Sequence, residues 1–272
     1  MYVSIEYIVV GLLLIMILIV VQTNIFNMTT HILAGFEQSE SYQKASDILD
    51  VLLLSPGEPI DWWDHNKYPQ TENINAIGLA LTGEQEYIVD IKKISRLNSG
   101  SSEYISPTLV RSLLGLRSYY DFSLKITPVF TVTITNTSGN YNIQVHDNNG
   151  AGLPNTNVTA FYIPSSIQSG VEYDYTSQIT GIDGSCALSF DYNSDYGVVV
   201  SVNHLGVKTI SSKPENLKLR IVGNQIYEAE YPLLSSLECE TASYSSFTQA
   251  EIVYRYVTID GVYYYVEFFL WE

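Results

Sequence analysis

Val3-Ser4-Ile5-Glu6-Tyr7 leads straight into residues 8–21, an unbroken apolar run with one acid near its front. A carboxylate in lipid is costly, most of all at mid-bilayer, so Glu6 is expected to have a partner. The purely apolar part is shorter than the ~20 residues of a spanning helix. Val3, Ile5 and Tyr7 before it, with Ile25 and Phe26 after it, bring the length into range. A cleaved secretory signal is the competing reading, but it requires a charged front and a small-residue cleavage site, and neither is visible. A retained helix is predicted. No Lys or Arg precedes the run, so charge asymmetry does not set its orientation.

The helical pattern continues in amphipathic form. Ile25, Met28, Ile32 and Phe36, then Ala45, Ile48, Leu49, Leu52 and Leu53, recur at spacings of three and four, with Gln38, Glu40, Lys44, Asp47 and Asp50 between them. The pattern stops at Ser55-Pro56-Gly57-Glu58-Pro59, where prolines remove donors and glycine supplies turn geometry. One helix over this whole length would reach on the order of 75 Å, more than a bilayer needs, so its second half is expected to pack on protein.

Composition excludes several classes. The 272 residues are 46% hydrophobic, enough for a true core, and carry a formal charge of −16 with 13 Lys plus Arg. Phosphate neutralisation needs clustered cations, so a nucleic-acid partner is not expected. Cys186 and Cys239 lie in no metal-ligand array and leave two readings open, one bridge or two buried thiols.

After the prolines the chain reads as β-rich. Residues 77–81 and 87–91 suggest short strands or turn segments, and residues 106–114 a short helix with Pro107 in its first turn. Phe122, Leu124 and Ile126 alternate on one face, and Phe130, Val132 and Ile134 resume after Pro128. From 141 to 210, turn signals such as Asn148-Asn149-Gly150 and Asp183-Gly184 punctuate apolar runs at the spacing of a small β-sandwich. Residues 251–258 and 262–271 flank Asp260-Gly261, the strongest hairpin signal in the chain.

The opening Val3-Ser4-Ile5-Glu6-Tyr7 and the run behind it resemble the N-terminus of archaeal type IV pilin-like proteins, the class with class III signal peptides. Their mature helix keeps a glutamate at its fifth position, and Glu6 falls there if Tyr2 is the first mature residue. Residues 52–62, Gly78-Leu79-Ala80, Asp90 to Leu97, Leu113 to Leu116 and the closing hairpin are similar to head segments of such proteins. Residues 136–225 are similar instead to prealbumin-like or immunoglobulin-like surface modules.

The resemblance implies an α+β fold: a long N-terminal membrane and amphipathic helix (1–54), a pilin-like β head in two parts (55–135 and 226–272), and an inserted β-sandwich (136–225). It implies a non-enzymatic structural subunit or minor component of a surface filament, with Tyr2 and Glu6 as assembly residues. The carboxylate would pair with the freed α-amine of a neighbouring copy. The expected partners are the membrane, further copies of the chain and a surface or cell partner met by the sandwich; the expected location is the plasma membrane, with extracellular domains. The family's precursors carry a charged prepeptide, and none precedes Tyr2 here. An unprocessed chain would instead be a monomeric anchored adhesin or binding protein.

Other motifs carry less. Asn27, Asn136 and Asn157 open glycosylation sequons, which are common by chance in a chain rich in Asn, Ser and Thr. Residues 191–197 place oxygen ligands like a calcium loop, yet Tyr196 stands where glycine is needed and no acid follows at Val202. His31, His65, His146 and His204 are scattered, and His65 beside Asp61 and Asp64 is at most a weak metal suggestion. No nucleophile elbow or phosphate loop occurs, so neither a cofactor, a metal nor a catalytic residue is predicted. The 22 tyrosines suit adhesive or subunit contacts, although in strands they also follow β propensity.

Overall fold

The computed structural model describes residues 16, 18, 19, 22, 40–68, 73–137, 139–164, 171–190, 196–215, 217–242 and 250–271. Among them strand amounts to 44% and helix to 15%, and the fold is β-sandwich-like. This corrects the α+β expectation with its long N-terminal membrane helix. The described helices are short, and none is long and apolar enough to cross a membrane. The reason lies in the second half of the chain, where every regular element from Asp121 onward among the described residues is a strand.

Helix α1 (residues 40–54) turns Ala45, Leu49, Leu52 and Leu53 into the core, as its spacing predicts, and leaves Tyr42, Val51 and Leu54 exposed. Its end is closed by a strand-like segment rather than by a side chain. The N–H groups of Leu79 and Ala80 donate to the carbonyls of Leu52 (2.7 Å) and Ser55 (3.0 Å), satisfying acceptors a helix terminus would leave open. The approach is close enough that a Cβ on Gly78 would lie 2.2 Å from the Ser55 carbonyl oxygen. Only glycine fits there. Residues 77–81 and 87–91 form no full strands: Ala80 bridges Val89, and Ile88 bridges Thr258 near the chain's end.

Two short helices follow, α2 (Ile91–Ser95), capped by the Asp90 carboxylate, and α3 (Pro107–Leu113), which starts on its proline. Strand β1 (Asp121–Pro128) then enters an antiparallel sheet completed by β12 (Leu237–Glu240), β13 (Glu251–Ile259) and β14 (Val262–Trp271), in the order β12-β1-β14-β13. Asp260 (φ 49°) and Gly261 (φ 78°) turn β13 into β14 with both backbones left-handed, the geometry that a two-residue hairpin requires. The inner face of this closing sheet buries Phe122, Leu124, Ile126, Val266 and Phe268 in one cluster with Leu49, Leu52 and Leu53 of α1. Arg255 fixes the contact, donating to both carboxylate oxygens of Asp50 (2.9 Å each) and to Ser46 Oγ (2.9 Å).

Between β1 and β12 run the sandwich strands. β2 (Thr131–Thr137), β3 (Asn140–His146) and β7 (Ser185–Ser189) form one sheet. β6 (Tyr175–Ile179), β4 (Asn157–Pro164), β8 (Tyr196–His204) and β9 (Val207–Lys213), in that order, form the other. They enclose a core of Tyr141, Ile143, Val145, Val158, Val200 and Val202 with their neighbours. The opposite faces of β4, β8 and β9 are also covered in part, because Phe161, Ile163, Val199 and Ile210 join the core of the closing sheet. Burial on both faces accounts for the continuous apolar reading of Val198-Val199-Val200. A small sheet of β10 (Leu219–Val222), β11 (Gln225–Glu228) and β5 (Val171–Glu172), ordered β10-β11-β5, adds Leu219, Ile221 and Ile226 to that shared core.

Candidate functional site

Tyr2, Glu6 and Asn27 lie outside the described residues. Further along the same apolar stretch, Met16, Leu18 and Ile19 are helical and 66%, 57% and 56% exposed. Asn136 is exposed on β2, where its side-chain oxygen accepts from the Gly139 N–H (3.1 Å). Asn157 is exposed at the start of β4, between β6 and β8 in register. Thr159, the third residue of that sequon, is held by a 2.9 Å hydroxyl contact with Ser177.

Cys186 and Cys239 are free buried thiols. They belong to different cores, Cys186 to the sandwich and Cys239 to the closing sheet, so the bridge left open by the sequence does not form. Burial raises both thiol pKa values, that of Cys239 to about 12. His65 does not gather a metal set. Asp61 beside it is engaged by Lys67 (2.6 Å) and by the Tyr68 hydroxyl (3.2 Å), and the Lys67 hydrogen bond lowers the Asp61 pKa. Among the described residues no cluster of three or more His, Cys, Asp or Glu could hold a metal ion. Residues 191–195 of the calcium-like loop lie outside the described residues.

The structure assembles instead a cleft of about 490 Å³ that the sequence did not announce. Strand alternation sends Lys125 and Thr127 of β1, and Tyr265 and Glu267 of β14, to the outer face of the closing sheet, where they form the floor. Lys125 stands opposite Glu267 across one ladder and Glu238 across the other, with Lys125 Nζ 3.9 Å from the Glu238 carboxylate. The edge strand β9 supplies one wall through Thr209, Ser211 and Ser212, with Glu215 just beyond it, and Leu233 to Ser235 supply another. Thr209 is 1% exposed and its hydroxyl has no hydrogen-bond partner among the described residues. Burial raises the Tyr265 pKa, with Glu267 adding to the shift. Tyr265 also lies within a group of rings, 5.6 Å from Tyr254 and 5.4 Å from Tyr256.

These residues come from separate stretches with no motif linking them. The signal that could have found them is the two-residue period of β1 and β14 combined with their pairing, which puts Lys125 against Glu267 and Thr127 against Tyr265. Comparison with protein-family models, with characterised proteins and with solved structures finds no match for the chain.

Proposed function

We propose that the chain is a structural subunit or minor component of a type IV pilus-like surface filament, gathered through its apolar N-terminal segment and acting outside the cell without catalysis. The observation that carries this is the exposure of Met16, Leu18 and Ile19 in helical conformation. Neighbouring exposed apolar side chains favour association, and further copies of the same segment, or lipid, would cover them. Glu6 then has a role. Its carboxylate pairs with the terminal amine of a neighbouring copy, offsetting desolvation and setting the register of assembly. The Asp50–Arg255 pairing ties α1 to the closing sheet, as a head docked on its own helix requires.

The test is Glu6→Gln. The head is expected to remain folded by circular dichroism while incorporation into filaments, followed by electron microscopy, is lost; filaments of normal abundance from the variant would defeat the assembly role. A second reading, a monomeric anchored binding protein, is favoured by the open cleft on the head. Wild-type chain that stays as single membrane-bound molecules under all conditions would select it.

A further inference from the structure

The cleft and the rings beside it form one continuous surface. Tyr254 and Tyr256, 57% and 59% exposed, stand on the outer face of β13, and both touch Tyr265, which reaches into the cleft. Such rings offer broad apolar faces with a polar tip and few torsions to fix on binding. Past Tyr265 the lining mixes hydroxyls and carboxylates, Thr127, Thr209 and Ser211 beside Glu215 and Glu267, with apolar walls from Phe130, Val132 and Leu233. A matching ligand therefore has apolar faces and a dense rim of hydroxyls.

Charge narrows the choice. Glu215 and Glu267 in the lining, with Glu238 next to Lys125, make the surface net negative and disfavour an anion; the hydroxyls and ring faces, rather than charge, favour a neutral ligand over a cation. Thr209 adds an independent observation. A buried hydroxyl without a partner costs the free protein stability, and a bound molecule reaching it would supply the missing hydrogen bond. We propose that this surface binds a neutral oligosaccharide, with sugar faces stacked on Tyr254 and Tyr256 and one sugar unit entering the cleft to hydrogen-bond Thr209 and Glu267.

The experiment titrates the full chain calorimetrically with maltohexaose, cellohexaose and mannohexaose, and in parallel with a hexagalacturonate, a polyproline peptide and an oligolysine. Saturable binding of at least one neutral hexasaccharide is expected. Tyr256→Ala should weaken it about tenfold or more, as loss of a stacking anchor does. Thr209→Val should weaken it severalfold while the melting temperature stays level or rises, which a purely structural threonine would not do. Absence of binding by all three neutral sugars overturns the proposal, as does tighter binding of the anionic, cationic or proline-rich probe. Equal affinity in Tyr256→Ala overturns it too. So does cross-linking of Tyr254 or Tyr256 to a second copy of the chain in the free protein.

Discussion

Between Pro56 and Ile105 the chain crosses a buried core with α2 and isolated bridges as most of its regular structure, whereas β2 to β9 cross theirs largely as paired strands. In the sandwich the ladders satisfy backbone groups, and inward side chains can be almost wholly apolar, as Ile143, Val145, Val158 and Val200 are. Among its described residues the 56–105 segment has no such ladder and draws on buried cations. Lys93, 1% exposed, donates to the carbonyls of Pro56 (2.9 Å) and Ala80 (2.7 Å). Arg96, equally buried, donates to the carbonyls of Trp62, Tyr68 and Glu103. Trp62 Nε1 adds a bond to the Gly78 carbonyl (2.9 Å). Long flexible donors reach carbonyls that point in unrelated directions, which a ladder cannot do. Burial lowers the pKa of both cations, the consequence of holding charge away from water.

The largest effect is expected where that device is removed. Arg96→Met strands three carbonyls and should cost roughly 3–5 kcal/mol, as losing one side of a buried charged network does. Hydrogen exchange should show residues 56–105 opening while β3 and β8 stay protected; uniform loss of protection would break the contrast between the two regions. Ile143→Ala probes the other side. It leaves a cavity between the sandwich sheets and should cost about 3 kcal/mol, with protection lost first in β3, β4 and β8.

A smaller effect is read by pH in the closing-sheet core. The Cys239 thiol has its pKa raised from 9.0 to about 12 by burial, so the folded chain holds that proton where the unfolded chain has released it. Its stabilising contribution is complete below pH 9 and declines as pH rises from there towards 12. Denaturant melts at pH 8 and pH 10 should therefore show a shallower alkaline loss in Cys239→Ala than in the wild type. Identical slopes would mean that the closing-sheet core admits water at Cys239.

Legibility in the sequence followed the range of the interaction. The Asp260-Gly261 hairpin, the start of α3 on Pro107 and the end of α1 before Ser55-Pro56-Gly57 depend on neighbours along the chain, and local patterns announce them. Lys93 and Arg96 were not readable as buried. Ile91-Lys92-Lys93-Ile94-Ser95-Arg96 reads locally as a charged surface turn, and only Pro56, Trp62, Tyr68 and Ala80 arriving from elsewhere enclose it. The cleft was hidden for the same reason, because its floor comes from β1 and β14, strands separated by the whole sandwich. The α+β expectation gave an N-terminal pattern more weight than the many short strands behind it.

By itself the sequence determined the apolar front with Glu6, the inward face of α1, the alternation within strands and the closing turn, since each rests on contacts a few residues apart. Tertiary structure alone decided which strands share a sheet, that Cys186 and Cys239 lie in different cores, that two cations replace a ladder, and that Thr209 meets Tyr265 and Glu267 across a cleft. These depend on pairing between distant segments, where the free energy of burial chooses among registers that local propensity leaves equally open.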